Sequence, residues 1–310
     1  MRILKYYISI AFIAIFVLSS CEKHKIIYDA ETIDDTKVML QVHYFQPIAT
    51  GAVNAINQVQ INDKPVTFNN LLPYNGIPDG ATGKFLTANA GQVNIKFFKG
   101  SASGGYTEVY NKTVSLTGGK AYNLFVHNLS EDPAVIENGY PYQRNYPGYN
   151  TDSLCYARFH NFYYDSDGTP LCKNGDKLQL QFVYYDPNPD PTKPTASDWG
   201  WTPPFPITDT FSVGAPVGFG EASEWTPIRL RKTYYNSQGY APVRWFIRLI
   251  KADGTKQWVP YMSGATSGQV TYTLGENQYI GRRYHKILGG KSGGGVHANQ
   301  IWSFSTWTAI

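Results

Sequence analysis

One strand-like pattern occurs in each half of this chain, and it restricts the fold more than any other feature. Val38-Met39-Leu40-Gln41-Val42-His43 reappears in character as Cys155-Tyr156-Ala157-Arg158-Phe159-His160. In both, small or apolar side chains alternate with larger or polar ones, and both end in histidine. Strict alternation puts one set of side chains on each face of a strand, so each segment reads as a half-buried β-strand. Similar runs follow: Val59 and Ile61 before Asn62-Asp63, Val93 to Phe97 before Lys99-Gly100, and Val114 and Leu116 before Gly118-Gly119, then Tyr122 to Val126. The second half continues with Leu178 to Phe182, Val243 to Leu249 before Ala252-Asp253-Gly254-Thr255, and Val270 to Leu274 before Gly275-Glu276-Asn277. A last strand is predicted from Gln278 to Ile287. No capped stretch of helical period interrupts them. Many short strands punctuated by turn residues predict an all-β sandwich architecture.

Further correspondences make the halves a tandem repeat. Phe219-Gly220-Glu221-Ala222-Ser223-Glu224-Trp225 answers to Pro78 through Phe85, and Ser115 through Lys120 answers to Thr273 through Asn277. Leu116 to His127 and Leu274 to His285 are equally spaced, which matches His127 with His285. The expected organisation is a signal peptide over 1–20, a flexible tether over 21–37, repeat 1 over 38–130 and a linker over 131–152. Repeat 2 covers 153–289, with an insertion over 186–206. A Gly-rich tail over 290–310 has room for an edge strand. The 131–152 segment, rich in Tyr, Pro and Gly, reads either as a linker or as an irregular piece packed down on the repeats.

Composition supports this reading and limits function. Charged residues make up 16% and aromatics 15%, with 24 Tyr, 29 Gly and 19 Pro. Tyrosine suits pleated surfaces, while Gly and Pro supply turns. Formal charge is +4; without Arg2 and Lys5 it becomes 25 − 23 = +2. So small an imbalance argues against nucleic acid and against electrostatic docking on acidic lipids.

The address lies at the N-terminus. Arg2 and Lys5 precede an uncharged apolar run that ends in Leu18-Ser19-Ser20-Cys21, the order of a secretory signal. The cysteine at the cleavage point resembles a bacterial lipobox, which implies lipidation of Cys21. The expected location is the cell outer membrane, lipid-anchored, facing either the periplasm or the surface. Cys155 and Cys172 then meet an oxidising compartment, where either a disulfide or two reduced buried thiols is consistent with the sequence.

Chemistry-bearing motifs are sparse. His43, His127, His160 and His285 recur with the repeat, but no acidic residue or cysteine accompanies them at fixed spacing. Structural histidines bonded to neighbouring strands are expected rather than a metal site. Asp165-Ser166-Asp167-Gly168 opens like a calcium loop, but Pro170 and the missing terminal glutamate make it a turn. Glu221 and Glu224 read as solvated turn carboxylates. No nucleophile elbow or phosphate loop is present. The expectation is therefore no catalytic residues, no cofactor and no metal. The insertion is the remaining functional candidate: Trp199 and Trp201 sit among prolines, with Tyr184 and Tyr185 just before. Such rings either stack on a sugar or protein partner or fold down to cap the sandwich.

The strand from Val38 to Phe45, the segment Gly80 to Ile95 and the run Val114 to Val126 together resemble the bacterial domain of unknown function 4397. The second repeat departs from that pattern through its insertion and through Glu276-Asn277-Gln278-Tyr279. The resemblance implies two tandem immunoglobulin-like antiparallel β-sandwiches on a cell-envelope lipoprotein of the Bacteroidetes type. It carries no catalytic residues to transfer. The expected role is non-catalytic binding or scaffolding, with a protein partner in the envelope, or else glycan capture through the insertion. A hydrolase is the third class.

Overall fold

The alternation read from the sequence becomes strands throughout the computed structural model, which describes residues 34–47, 56–66, 85–139, 154–172, 174–184, 211–229, 240–259, 273–291 and 300–307. Among these residues there is no helix. The strands, in chain order, are β1 (Lys37–Tyr44), β2 (Gln58–Ile61), β3 (Lys64–Pro65), β4 (Leu86–Asn89), β5 (Gly91–Ser101), β6 (Gly105–Leu116), β7 (Ala121–Val126) and β8 (Ala134–Glu137). The second half adds β9 (Leu154–Tyr164), β10 (Lys177–Tyr184), β11 (Phe211–Ser212), β12 (Thr226–Arg229), β13 (Tyr240–Ile250), β14 (Lys256–Trp258), β15 (Thr273–Tyr279), β16 (Arg282–Lys291) and β17 (Gln300–Trp307).

These strands form four sheets. In the first half, β4-β1-β7-β8 faces β3-β2-β5-β6. Val38, Leu40 and Val42 of β1 and Leu124 and Val126 of β7 pack with Val59, Val93, Ile95 and Phe97 of the opposite sheet. In the second half, β12-β9-β16-β17 faces β11-β10-β13-β14, with β15 also paired to β13. Its core joins Cys155, Ala157 and Phe159 to Leu178, Leu180, Trp245 and Ile247. The order β4-β1-β7-β8 thus returns as β12-β9-β16-β17, and β2-β5-β6 returns as β10-β13-β15.

Pairing direction departs from the antiparallel expectation. β1 runs parallel to β7, and β9 parallel to β16. Alternation records which face a residue takes but not strand direction. A parallel neighbour needs a long crossover, here the whole of the chain between β1 and β7. Two boundaries also move. β8 pairs with β7, so the first sheet extends into the segment expected as a linker. β15 runs unbroken through Gly275-Glu276-Asn277, and the turn falls instead at Gly281, whose φ is +73°. β17 pairs antiparallel with β16 at the end of its sheet.

Local chemistry fixes the turns. Asn62 and Asp63 both take positive φ, 50° and 64°, as a two-residue hairpin loop between β2 and β3 requires. Gly118 is demanded by close approach: a Cβ there would lie 1.7 Å from the Asp35 carbonyl oxygen.

The half-buried reading of the opening strands is corrected by what covers their outer faces. Gln41, His43 and Phe45 point away from the first core yet are buried. Phe45, Phe125 and Ile136 pack against Phe162 and Ile287, with Phe219 and Ala222 beside them. The two inner sheets therefore meet face to face, and the four sheets stack as layers with three interiors.

Candidate functional site

The middle interior is the most chemically distinctive part of the fold, because it is lined by histidines. On the parallel β1/β7 pair, His43 lies opposite Phe125 and Gln41 opposite Asn123. The His43 ring stacks on Phe125 at 4.4 Å, and its Nε2 is 3.0 Å from Asn123 Oδ1. On the parallel β9/β16 pair, His160 lies opposite Ile287 and Arg158 opposite His285. His160 Nε2 is 2.9 Å from His285 Nδ1. Register therefore makes His43 the counterpart of His160, as the sequence suggested, but makes Asn123 the counterpart of His285. Matching His127 with His285 is corrected. Equal spacing from a leucine misled, because it set the turn at Gly275-Glu276-Asn277 rather than at Gly281.

His127 has its own partner across the two halves. Tyr164 Oη donates to the His127 carbonyl at 3.1 Å, which leaves its lone pair to accept from His127 Nδ1 at 2.9 Å. All four histidines thus bond to side chains on neighbouring or facing strands, in keeping with a structural role. Burial holds them neutral. It pushes His43 down to about 4 against the opposing pull of Asn123, and it lowers His127. It sets His160 and His285 well below the ordinary histidine range, with the Arg158 guanidinium adding to the effect at each.

A polar strap runs along this layer. Arg158 Nε donates to the Ser223 carbonyl at 2.7 Å, and its Nη1 donates to the carbonyls of Glu137 at 2.6 Å and Asn138 at 3.2 Å. Trp225 Nε1 donates to the same Asn138 carbonyl at 2.6 Å. The end of β8 is thereby tied to β9 and to the segment before β12. None of these contacts was legible in the sequence, because carbonyl acceptors leave no residue signature.

A second buried polar group lies in the core of the second sheet pair. Lys286, on β16, is fully buried and pairs with the Glu276 carboxylate on β15. Its Nζ lies 4.7 Å from the Trp245 ring centroid and 4.8 Å from that of Tyr284. Gln278 Nε2 donates to Glu276 Oε2 at 3.2 Å. Burial lowers the Lys286 ammonium against the raising influence of Glu276. Sequence reasoning missed this pair by placing Glu276 in a turn.

The remaining candidates resolve unevenly. Cys155 and Cys172 are separate thiols, not the disulfide weighed from the sequence. Cys155 points into the second core, where burial pushes its thiol up to about 12, whereas Asn161 Nδ2 donates to Cys172 Sγ at 3.4 Å. A thiol so raised is not a nucleophile at neutral pH. Asp165 to Gly168 is a turn closed by Gly168 N donating to the Asp165 carbonyl at 2.9 Å. Glu221 accepts from Gly218 N at 2.7 Å, a turn-closing role. Among the described residues, no three His, Cys, Asp or Glu side chains gather closely enough to hold a metal ion, and no helix is long and apolar enough to cross a membrane.

Cys21, Tyr185, Trp199 and Trp201 lie outside the described residues, as does the proposed tether as far as residue 33. Tyr184 is described by its backbone alone, which pairs with Val243. The strands on either side of 185–210 are described, however. β10 and β11 pair through Gln181 with Ser212 and Phe182 with Phe211, with β11 at one edge of an outer sheet. No protein-family model matches the chain, and no curated protein matches it.

Proposed function

We propose that this chain is a lipid-anchored outer-membrane protein whose two tandem immunoglobulin-like sandwiches form one rigid, non-catalytic platform for binding or scaffolding. The observation that carries the reading is the face-to-face packing of the two inner sheets. It buries the facing surfaces of the two inner sheets, and leaves the outer faces, edges and loops for partners. Duplication is supported by the returning strand order and by the matched His43–Asn123 and His160–His285 pairs. The family suggested by the sequence, the domain of unknown function 4397, fits a fold of this kind. Lipidation at Cys21 rests on the signal-like N-terminus; stable anchoring of that sort needs more than one acyl chain. Replacing Cys21 with Ser and fractionating cells should release the protein from membranes, and retention in the membrane fraction would sink the anchoring claim.

A glycan-capture reading is favoured by one observation: β10 and β11, on either side of the proposed insertion over 186–206, pair with each other, and Trp199 and Trp201 stand among prolines in the sequence between them. Aromatic side chains on a stiff loop bring large contact area at low entropic cost. Affinity electrophoresis of the mature chain in polysaccharide gels, compared with a double Trp199→Ala, Trp201→Ala variant, tests it. Retardation that survives the double substitution rules out the insertion as the glycan site, and no retardation in any gel makes a protein partner in the envelope the stronger reading.

A further inference from the structure

We propose that Lys286 and Glu276 are a covalent cross-linking site, at which the lysine amine and the glutamate carboxyl condense to an amide that joins the two sheets of the second sandwich. Register makes Lys286 the counterpart of Leu124 in the first half, since Tyr122 and Tyr284 each use their hydroxyl to bond a backbone N–H five residues earlier, at Thr117 and Tyr279. An alkyl side chain thus fills this core position in the first half, and packing alone does not ask for an amine. A buried ion pair is a weak stabiliser, because desolvating both charges consumes most of their attraction. The placement nevertheless suits bond formation. Glu276 shares the inner face of its sheet with Val243, its partner on β13, and Lys286 reaches it from β16 in the opposing sheet. The rings of Trp245 and Tyr284 flank the amine and keep water from it.

The step balances within the pair. A proton passes from the ammonium to the carboxylate, leaving a neutral amine and a neutral acid. The nitrogen lone pair then attacks Cδ of Glu276, the Cδ–O bond breaks, and the second nitrogen proton leaves with that oxygen as water. No oxidant, metal or other reagent is consumed. Gln278 Nε2, already donating to Glu276 Oε2, is placed to stabilise the oxyanion that forms on attack. Holding the two groups in contact replaces a bimolecular encounter, which is what makes an otherwise sluggish condensation accessible. The Glu276 side chain is 22% exposed, so the released water has a way out.

Tryptic digestion of the folded, then denatured, protein reads the bond directly. Cleavage after Lys256, Arg282 and Arg283 leaves Glu276 and Lys286 on different peptides. The expected product is a branched peptide in which the fragment carrying Glu276 is joined to one with Lys286 uncleaved, lighter by one water than its parts. It should be lost in Glu276→Ala. Recovery of the two fragments as separate linear peptides from the natural sequence, or persistence of the branch in Glu276→Ala, overturns the proposal.

Discussion

His160 Nε2 meets His285 Nδ1 at 2.9 Å on the same diagonal of a parallel strand pair where His43 meets Asn123 in the other half. Two different partners thus satisfy one recurring buried imidazole. His285→Asn should therefore be tolerated, at a cost below about 1 kcal/mol, because it recreates the first-half pair. His285→Ala should cost about 2–4 kcal/mol, since it leaves His160 unbonded beside a cavity. Urea midpoints of the two variants make the comparison.

Acid should weaken the fold through the same layer. His43 has its folded-state value depressed by burial from 6.5 to about 4. Between those values the unfolded chain binds the proton and the folded chain does not. Stability is full above about pH 6.5 and falls as pH drops towards 4, by about 3 kcal/mol for this group alone. His160 and His285, lowered further, add loss in the same direction. Unfolding free energies measured from pH 7 to 4 should show this slope, and His43→Phe should flatten it.

Arg158 is the expected keystone of the strap. Its guanidinium serves three carbonyls in a fixed fork, which a lysine cannot reproduce. Arg158→Ala should cost about 2–3 kcal/mol, the worth of charge-assisted bonds in a half-buried setting, and Arg158→Lys should recover less than half of it. Thermal denaturation of the two variants checks both magnitude and order.

Gly118 offers a test of the tie between β1 and the turn before β7. A methyl group there meets the Asp35 carbonyl oxygen at 1.7 Å, so the entering chain must shift. Gly118→Ala should lose about 1–3 kcal/mol by overpacking. An unchanged melting temperature would show that the Asp35 segment yields freely.

The sequence made the strands legible because alternation is a direct record of two faces, as Val38 to His43 and Cys155 to His160 illustrate. It also made the turns at Asn62-Asp63 and Asp165 to Gly168 legible, since both rest on local backbone chemistry. Strand direction was hidden, because side-chain period is indifferent to whether β1 meets β7 head to head or head to tail. Burial of the outer faces was hidden for a related reason. Gln41, Arg158 and His160 look like solvent-facing polar residues until a second sheet is laid over them. Glu276 misled because Gly-Glu-Asn reads as a turn, whereas its carboxylate faces inward to Lys286 and a glycine six residues beyond Gly275 makes the turn.

The central claim is that the two halves form one body through the layer of His43, Phe125, Phe162 and His160. Differential scanning calorimetry of the protein tests it most directly. One transition, with equal calorimetric and van 't Hoff enthalpies, is expected, and Phe125→Asp should split it in two. Two separate transitions in the unaltered protein would contradict the account.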